Sequence, residues 1–172
     1  MRITQSGMHI IYHCYGSAHS SIIAAAIHLG RLPSDRVPDK EEILALPDFD
    51  TTRDDSLGHI FFKGRDEKGH AIYTAGMGRH HQTVKRLLLE MIRLNNGPES
   101  SFKFVEALPS INKLAKLGGA LSRRYGLVMI GRPLAAIGIM QSYQHLVELV
   151  HKTKEEVKNQ EKGSESTERK RS

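Results

Sequence analysis

Apolar residues recur along this chain with two different periods, and each period predicts a type of element. Short, mostly apolar runs predict buried strands, whereas apolar residues three and four positions apart predict amphipathic helices. Strands are predicted at 8–14, 59–63, 70–75, 102–107 and 127–130, and helices at 19–29, 40–46, 80–94, 111–125 and 133–154. Their alternation predicts an α/β fold, a three-layer sandwich with a mostly parallel sheet and one β-hairpin at 59–75.

Glycine, proline and the charged residues indicate where the elements and the domain end. Gly30 follows the first predicted helix, and Pro33 lies just beyond it. Pro133 suits the first turn of the last helix. From Glu155 onward the chain is mainly Lys, Glu, Ser and Thr, which offer little to bury. We therefore expect a single α/β domain at 1–154 and a charged, disordered tail at 155–172.

Composition narrows the classes of function. The 172 residues suit one domain, and the only cysteine, Cys14, excludes an internal disulfide. No apolar run is long enough for a membrane span, so we expect a cytoplasmic protein without a membrane partner. The formal net charge of +6 favours anionic partners. Because basic residues are dispersed and aromatic residues make up only 6%, a small anionic ligand is favoured over nucleic acid.

The segment Cys14–Ser21, CYGSAHSS, connects the first predicted strand to the first helix. Ligands of open α/β sheets bind where strands end and helices begin, because backbone N–H groups point outward there. Gly16 permits a tight turn, and Ser17, Ser20 and Ser21 offer hydroxyl groups. The segment therefore predicts a phosphate-binding loop. The alternative is that a serine only caps the helix while Gly16 turns the chain.

Cys14 and His19 are the candidate catalytic residues of this loop. A cysteine before a helix N-terminus, with histidines near it in sequence, can act as a thiolate nucleophile. His19 would orient the reacting groups or transfer a proton. The alternative is that Cys14 is a buried structural thiol, because free cysteines are among the most buried residue types.

The same loop resembles the phosphate-binding loop of low-molecular-weight tyrosine phosphatases and of arsenate reductases with that fold. Cys14, Gly16 and Ser21 match the family pattern Cys-x-Gly-Asn-x-Cys-Arg-Ser. Ser20 stands where those enzymes have the arginine that holds the phosphoryl oxygens, and no later acidic motif matches. The resemblance therefore implies a loop shape rather than a phosphatase reaction.

Two later segments repeat the arrangement of strand, glycine and helix. Gly76, Gly78 and Arg79 follow the second strand of the hairpin, and Arg132 follows the strand predicted at 127–130. If these strands are parallel to the first, the three loops converge on one pocket, where Arg79 and Arg132 would supply positive charge. The alternative is that both arginines are solvated residues at helix starts.

Metal binding is a further hypothesis with less support. His13, Cys14, His19, His80 and His81 could surround zinc if the first two loops meet, but no recognised ligand spacing occurs. The acidic residues Asp48, Asp50, Asp54 and Asp55 could hold magnesium or supply a general acid, although such clusters are more often solvated loops. The sequence therefore predicts no metal ligand and leaves any cofactor unknown.

The motif YHCYG-x-x-HSS at 12–21, with Tyr73–Gly76, resembles a bacterial family known only as a domain of unknown function, mainly from spore-forming Gram-positive lineages. The similarity covers most of residues 8–150 and implies one compact domain. The residues themselves predict a protein that binds a phosphorylated small molecule or a nucleotide. They leave open whether it is an enzyme, a non-catalytic ligand-sensing or adaptor protein, or an RNA-binding protein.

Overall fold

The computed structural model describes residues 7–51 and 57–169, without the side chains of Arg124 and of residues 164–169. The strands in these ranges are β1 (His9–Cys14), β2 (Ile60–Arg65), β3 (Ala71–Gly76) and β4 (Phe102–Glu106). The helices are α1 (Ser20–His28), α2 (Lys40–Leu44), α3 (His81–Leu94), α4 (Lys113–Arg124) and α5 (Val128–Arg169). Up to α4, each predicted element is present with its ends within two residues of the predicted ones.

The four strands form one open sheet in the order β2-β3-β1-β4. β1 is parallel to both of its neighbours, β3 and β4, whereas β2 is antiparallel to β3. The prediction of an α/β fold with a mostly parallel sheet and one hairpin is therefore confirmed. Because β1, β3 and β4 are parallel, all three carboxyl ends lie at the same edge of the sheet.

Helices pack on both faces of this sheet, because side chains of a strand alternate between its faces. Ile10 and Tyr12 of β1 belong to the main core, which also contains residues of α1, α4 and α5. Ile11 belongs to a second, smaller cluster on the other face, where Val84 and Leu88 of α3 pack. α1 and α3 therefore leave the carboxyl edge on opposite faces.

The strand predicted at 127–130 is wrong, because α5 begins at Val128 and contains this run. A short apolar run fits a strand or a buried helix equally well, so tertiary packing decides between them. Here α5 packs against α4 almost backbone to backbone. A Cβ added to Gly118 would lie 2.3 Å from the backbone nitrogen of Ala135, so only glycine fits. Pro133 consequently lies inside α5 rather than in its first turn.

The helix α5 continues beyond Lys154 to Arg169. Val157 is buried in the main core. Glu156 forms an ion pair with Lys103 at 2.7 Å, and Glu161 lies 3.6 Å from His70. These contacts attach the first turns of the charged segment to the sheet. Among the helices of the described residues, none has both the length and the apolar character needed to cross a membrane.

Candidate functional site

The carboxyl ends of β1 and β3 lie side by side, at the place where open α/β proteins bind ligands, and we call the region between their loops the crevice. The two strands are parallel neighbours, and Cys14 at the end of β1 is paired with Gly76 at the end of β3. α1 follows β1 on one face of the sheet, and α3 follows β3 on the other. A crevice opens at such a change of side, which is the usual ligand position in these sheets.

The loops after β1 and β3 are joined by backbone hydrogen bonds. Met77 N–H donates to the Cys14 carbonyl at 3.0 Å, and Gly78 N–H donates to the Tyr15 carbonyl at 2.9 Å. A Cβ on Gly76 would lie 3.0 Å from the carbonyl carbon of Gly16, so a side chain there would push the loops apart. Three loops were expected to converge on one pocket, and the structure brings the first two of them together.

In the loop Cys14–Ser21, four carbonyl groups accept hydrogen bonds, whereas most of the N–H groups donate none to a described residue. The carbonyls of Cys14, Tyr15, Ala18 and His19 accept hydrogen bonds from Met77, Gly78, Asp50 and Ile23. Within residues 7–51 and 57–169, by contrast, no group accepts from the backbone N–H of Gly16, Ala18, His19, Ser20 or Ser21. Successive free N–H groups in a turn before a helix form a concavity that attracts anions.

The turn in this loop is made by Ser17 rather than by Gly16. Ser17 is fully buried and has a φ of 55°, in the left-handed region that few residues other than glycine adopt. Gly16 is outside that region, and a Cβ there would meet nothing within 4 Å. Gly16 therefore does not supply the backbone freedom expected of it.

The remaining serines of the loop have different surroundings. Ser21 is buried, and its hydroxyl oxygen lies 3.2 Å from the sulfur of Cys14. Cys14 is itself only 6% exposed. Ser20 is 1% exposed, and its hydroxyl has no partner among the described residues. A buried hydroxyl without a partner costs stability, so its presence here needs a reason.

His19 holds the loop against Asp50 and α4. Its Nε2 lies 2.9 Å from Oδ1 of Asp50, and Ser122 of α4 donates its hydroxyl hydrogen to the other carboxylate oxygen. The Gly119 position of α4 leaves room for the imidazole, since a Cβ there would lie 2.9 Å from Cε1. Burial raises the pKa of Asp50, but the hydrogen bonds from His19 and Ser122 outweigh it and hold the pKa below its ordinary value. The imidazole therefore faces an ionised carboxylate.

Three further side chains meet on the other face of β1. The rings of His13 and His81 lie edge to face with 5.9 Å between their centroids, and Nδ1 of His81 lies 3.1 Å from Oε1 of Glu106. His13 is 5% exposed, and its Nδ1 has no partner in the described part of the chain. Burial, followed by the charges of His81 and Lys85, lowers the pKa of His13 to about 4, so this imidazole is neutral at pH 7.

The two predicted arginines are separated. Arg79 is exposed, two residues before the start of α3, and forms no hydrogen bond or ion pair with another described residue. Arg132 lies in α5 and donates to the carbonyl of Leu44, at the end of α2, at 3.0 Å. The expectation that Arg132 follows a strand into the pocket is wrong, because the strand before it does not form.

The proposed metal ligands do not gather in the described residues, where no group of three or more His, Cys, Asp or Glu side chains could hold a metal ion. His13 and Cys14, as successive residues of β1, point to opposite faces of the sheet. In the acidic loop, Asp48 pairs with Lys63 at 3.0 Å, and Asp50 pairs with His19. Asp54 and Asp55 lie outside the described residues.

The family comparison covers this whole region. Residues 9–155 match the family described as "Protein of unknown function (DUF3189)". The chain belongs to this family. The matched residues include the sheet, both crevice loops and most of α5. No curated protein and no solved structure matches the chain. Membership of DUF3189 therefore supplies no activity, and the function has to be argued from the site.

Proposed function

We propose that the protein binds the phosphoryl group of a small molecule or nucleotide at the loop Cys14–Ser21. One observation supports this most. Four of the loop's carbonyls accept hydrogen bonds, while the N–H groups of Gly16, Ala18, His19, Ser20 and Ser21 have no partner among the described residues. N–H groups that converge before a helix stabilise negative charge, and the dipole of α1 adds to the effect. A phosphoryl group offers oxygen acceptors for these donors.

The side chains of the crevice support an anionic ligand as well. α1 has no acidic residue in its first turn and no side-chain cap. The hydroxyl of Ser20 would donate to a phosphoryl oxygen, which gives a reason for its burial without a partner. Arg79 stands in the adjoining loop and would supply the positive charge that the first loop lacks.

His19 has a positioning role in this proposal. Its imidazole is committed to Asp50 at 2.9 Å and lies against Gly119. This contact fixes the start of α1 relative to α4 and so fixes the direction of the N–H groups. We assign it no proton transfer.

Two substitutions, each of which removes one buried hydroxyl group, test the proposal. Ser20→Ala removes the hydroxyl at the loop, and Thr74→Val removes another buried hydroxyl without a partner, in the middle of β3. Both should stabilise the free protein by about 1 kcal/mol, because each removes an unsatisfied buried group. Only Ser20→Ala should weaken the stabilisation of the protein by inorganic phosphate in a thermal unfolding titration. Equal phosphate responses in the two variants, or no response in the unaltered protein, would count against the site.

Phosphoryl transfer through Cys14 is the second candidate, favoured by the Ser21 hydroxyl 3.2 Å from its sulfur. After the thiol loses its proton to solvent, the thiolate would attack phosphorus, forming an S–P bond as the bond to the leaving oxygen breaks. That oxygen would take a proton from solvent, and water would then release phosphate. Cys14→Ser should abolish release of nitrophenol from p-nitrophenyl phosphate while phosphate binding persists. Binding without release in the unaltered protein would instead identify a ligand sensor or adaptor.

Two broader interpretations accompany the proposal. We interpret the packing of α3 on one face and of α1 and α5 on the other as a three-layer sandwich. We also place the protein in the cytoplasm, where phosphorylated small molecules are abundant. Fractionation of cells that express the protein would test the location.

A further inference from the structure

Two helices, rather than one, begin at the crevice. α1 starts after the loop of β1, and α3, 14 residues long, starts after the loop of β3 on the opposite face. Neither helix has a side-chain cap or an acidic residue in its first turn. Within the described residues, no group accepts from the N–H of His81, Gln82 or Thr83. The start of α3 therefore repeats the electrostatic character of the start of α1.

His13 provides a second, independent indication of a ligand at the start of α3. Its ring lies against His81, the first residue of this helix, with 5.9 Å between the centroids. His13 is only 5% exposed, yet its Nδ1 has no partner among the described residues. A buried imidazole nitrogen without a hydrogen bond is costly, and a bound oxygen acceptor would satisfy it in the tautomer that carries hydrogen on Nδ1.

The charges around this position favour an anion. Arg79 lies two residues before the start of α3, and Lys85 is close enough to lower the pKa of His13. The nearby carboxylate of Glu106 is engaged by His81, whose Nδ1 lies 3.1 Å from its Oε1. An imidazole that donates from Nδ1 to Glu106 has Nε2 left to interact with a ligand.

We propose that the crevice holds a ligand with two linked anionic groups, of the pyrophosphate or nucleoside diphosphate class. One group occupies the loop Cys14–Ser21, and the other occupies the start of α3 beside His13 and Arg79. This inference rests on the proposed function, because the first group occupies the same loop. The hydrogen bond from Gly78 N–H to the Tyr15 carbonyl at 2.9 Å holds the two positions together.

Calorimetric titration of the full chain with inorganic phosphate and with pyrophosphate tests the inference. Pyrophosphate should bind about tenfold more tightly than phosphate, as expected for added charge-assisted hydrogen bonds. Arg79→Gln should remove that advantage, because it weakens pyrophosphate binding more than phosphate binding. Arg86→Gln is the matched control, since it removes the same charge from an exposed position further along α3. His13→Gln should act like Arg79→Gln, and Ser20→Ala should weaken both ligands.

The outcomes separate the two proposals. If phosphate binds but pyrophosphate binds no more tightly, the second position is overturned and the proposed function stands. The same conclusion follows if Arg79→Gln and Arg86→Gln weaken pyrophosphate equally, because the effect is then one of net charge. If neither ligand binds, both proposals fail. Because Arg79 is exposed, its variant decides the matter even if His13→Gln does not fold.

Discussion

Nε2 of His19 lies 2.9 Å from Oδ1 of Asp50, and this contact joins the crevice loop to the segment that follows α2. The carboxylate is fully buried and also accepts a hydrogen bond from Ser122. Asp50 has a φ of 59°, a conformation that asparagine tolerates as well as aspartate does. The substitution Asp50→Asn therefore changes the charge of this contact without changing the backbone.

We expect Asp50→Asn to lower the free energy of unfolding by about 2 kcal/mol, because a hydrogen bond to a charged group is replaced by a neutral one. Chemical denaturation at pH 7 measures this change. We also expect weaker phosphate binding, since the loop is no longer held. Asp48→Asn is the control, because Asp48 forms its ion pair with Lys63 and does not contact the loop. Equal effects of the two substitutions would contradict the positioning role of His19.

A buried network at the other edge of the sheet predicts how stability depends on pH. The hydroxyl of Tyr12 lies 2.8 Å from Nδ1 of His28, and Nε2 of His28 lies 3.1 Å from Oδ2 of Asp66. Burial lowers the pKa of His28 from 6.5 to about 4, although the hydrogen bond with Asp66 opposes this change. Between these pH values the unfolded chain binds a proton that the folded chain does not.

Stability should therefore be full above pH 6.5 and should fall as the pH decreases towards 4. The contribution of His28 to this fall is up to about 3 kcal/mol. Denaturation at a series of pH values should show a shallower slope for His28→Gln than for the unaltered chain. His145→Gln, which removes an exposed imidazole from α5, is the control. Identical slopes for all three proteins would show that His28 is not buried in its neutral form.

The close packing of α4 and α5 predicts opposite effects of the same substitution at two glycines. A Cβ on Gly138 would lie 2.2 Å from the backbone nitrogen of Ala115, whereas a Cβ on Gly163 would meet nothing within 4 Å. Gly138→Ala should destabilise the protein by about 3 kcal/mol, because the helices must separate. Gly163→Ala should stabilise it by up to about 1 kcal/mol through helix propensity. Thermal unfolding of the two variants measures both, and a tolerated Gly138→Ala would exclude this packing.

The elements up to α4 could be predicted because their apolar periods and terminal residues agree. The start of α5 could not, since the run at 127–130 fits a strand until its neighbour is known. That neighbour is α4, and the contact depends on Gly118 and Gly138, which carry no apolar pattern. Because a strand was predicted at 127–130, Arg132 was also predicted to lie in the pocket. Its guanidinium instead donates a hydrogen bond to the Leu44 carbonyl.

The crevice could be predicted in outline, because parallel strands that end in glycine-containing loops share one edge. The partners of its histidines could not. Asp50 pairs with His19 across 31 positions, and Glu106 pairs with His81 across 25, with no periodic signal between them. Asp50 did stand out as part of an acidic cluster, but the cluster indicated a metal rather than an imidazole partner.

Phosphate binding by the crevice loop depends on the backbone N–H groups that have no partner among the described residues. Amide chemical shifts measured while inorganic phosphate is added to labelled protein test it most directly. We expect the amides of Gly16, Ala18, His19, Ser20 and Ser21 to shift most, along one common binding curve. Shifts confined to other parts of the chain, or no shifts at millimolar phosphate, would contradict it.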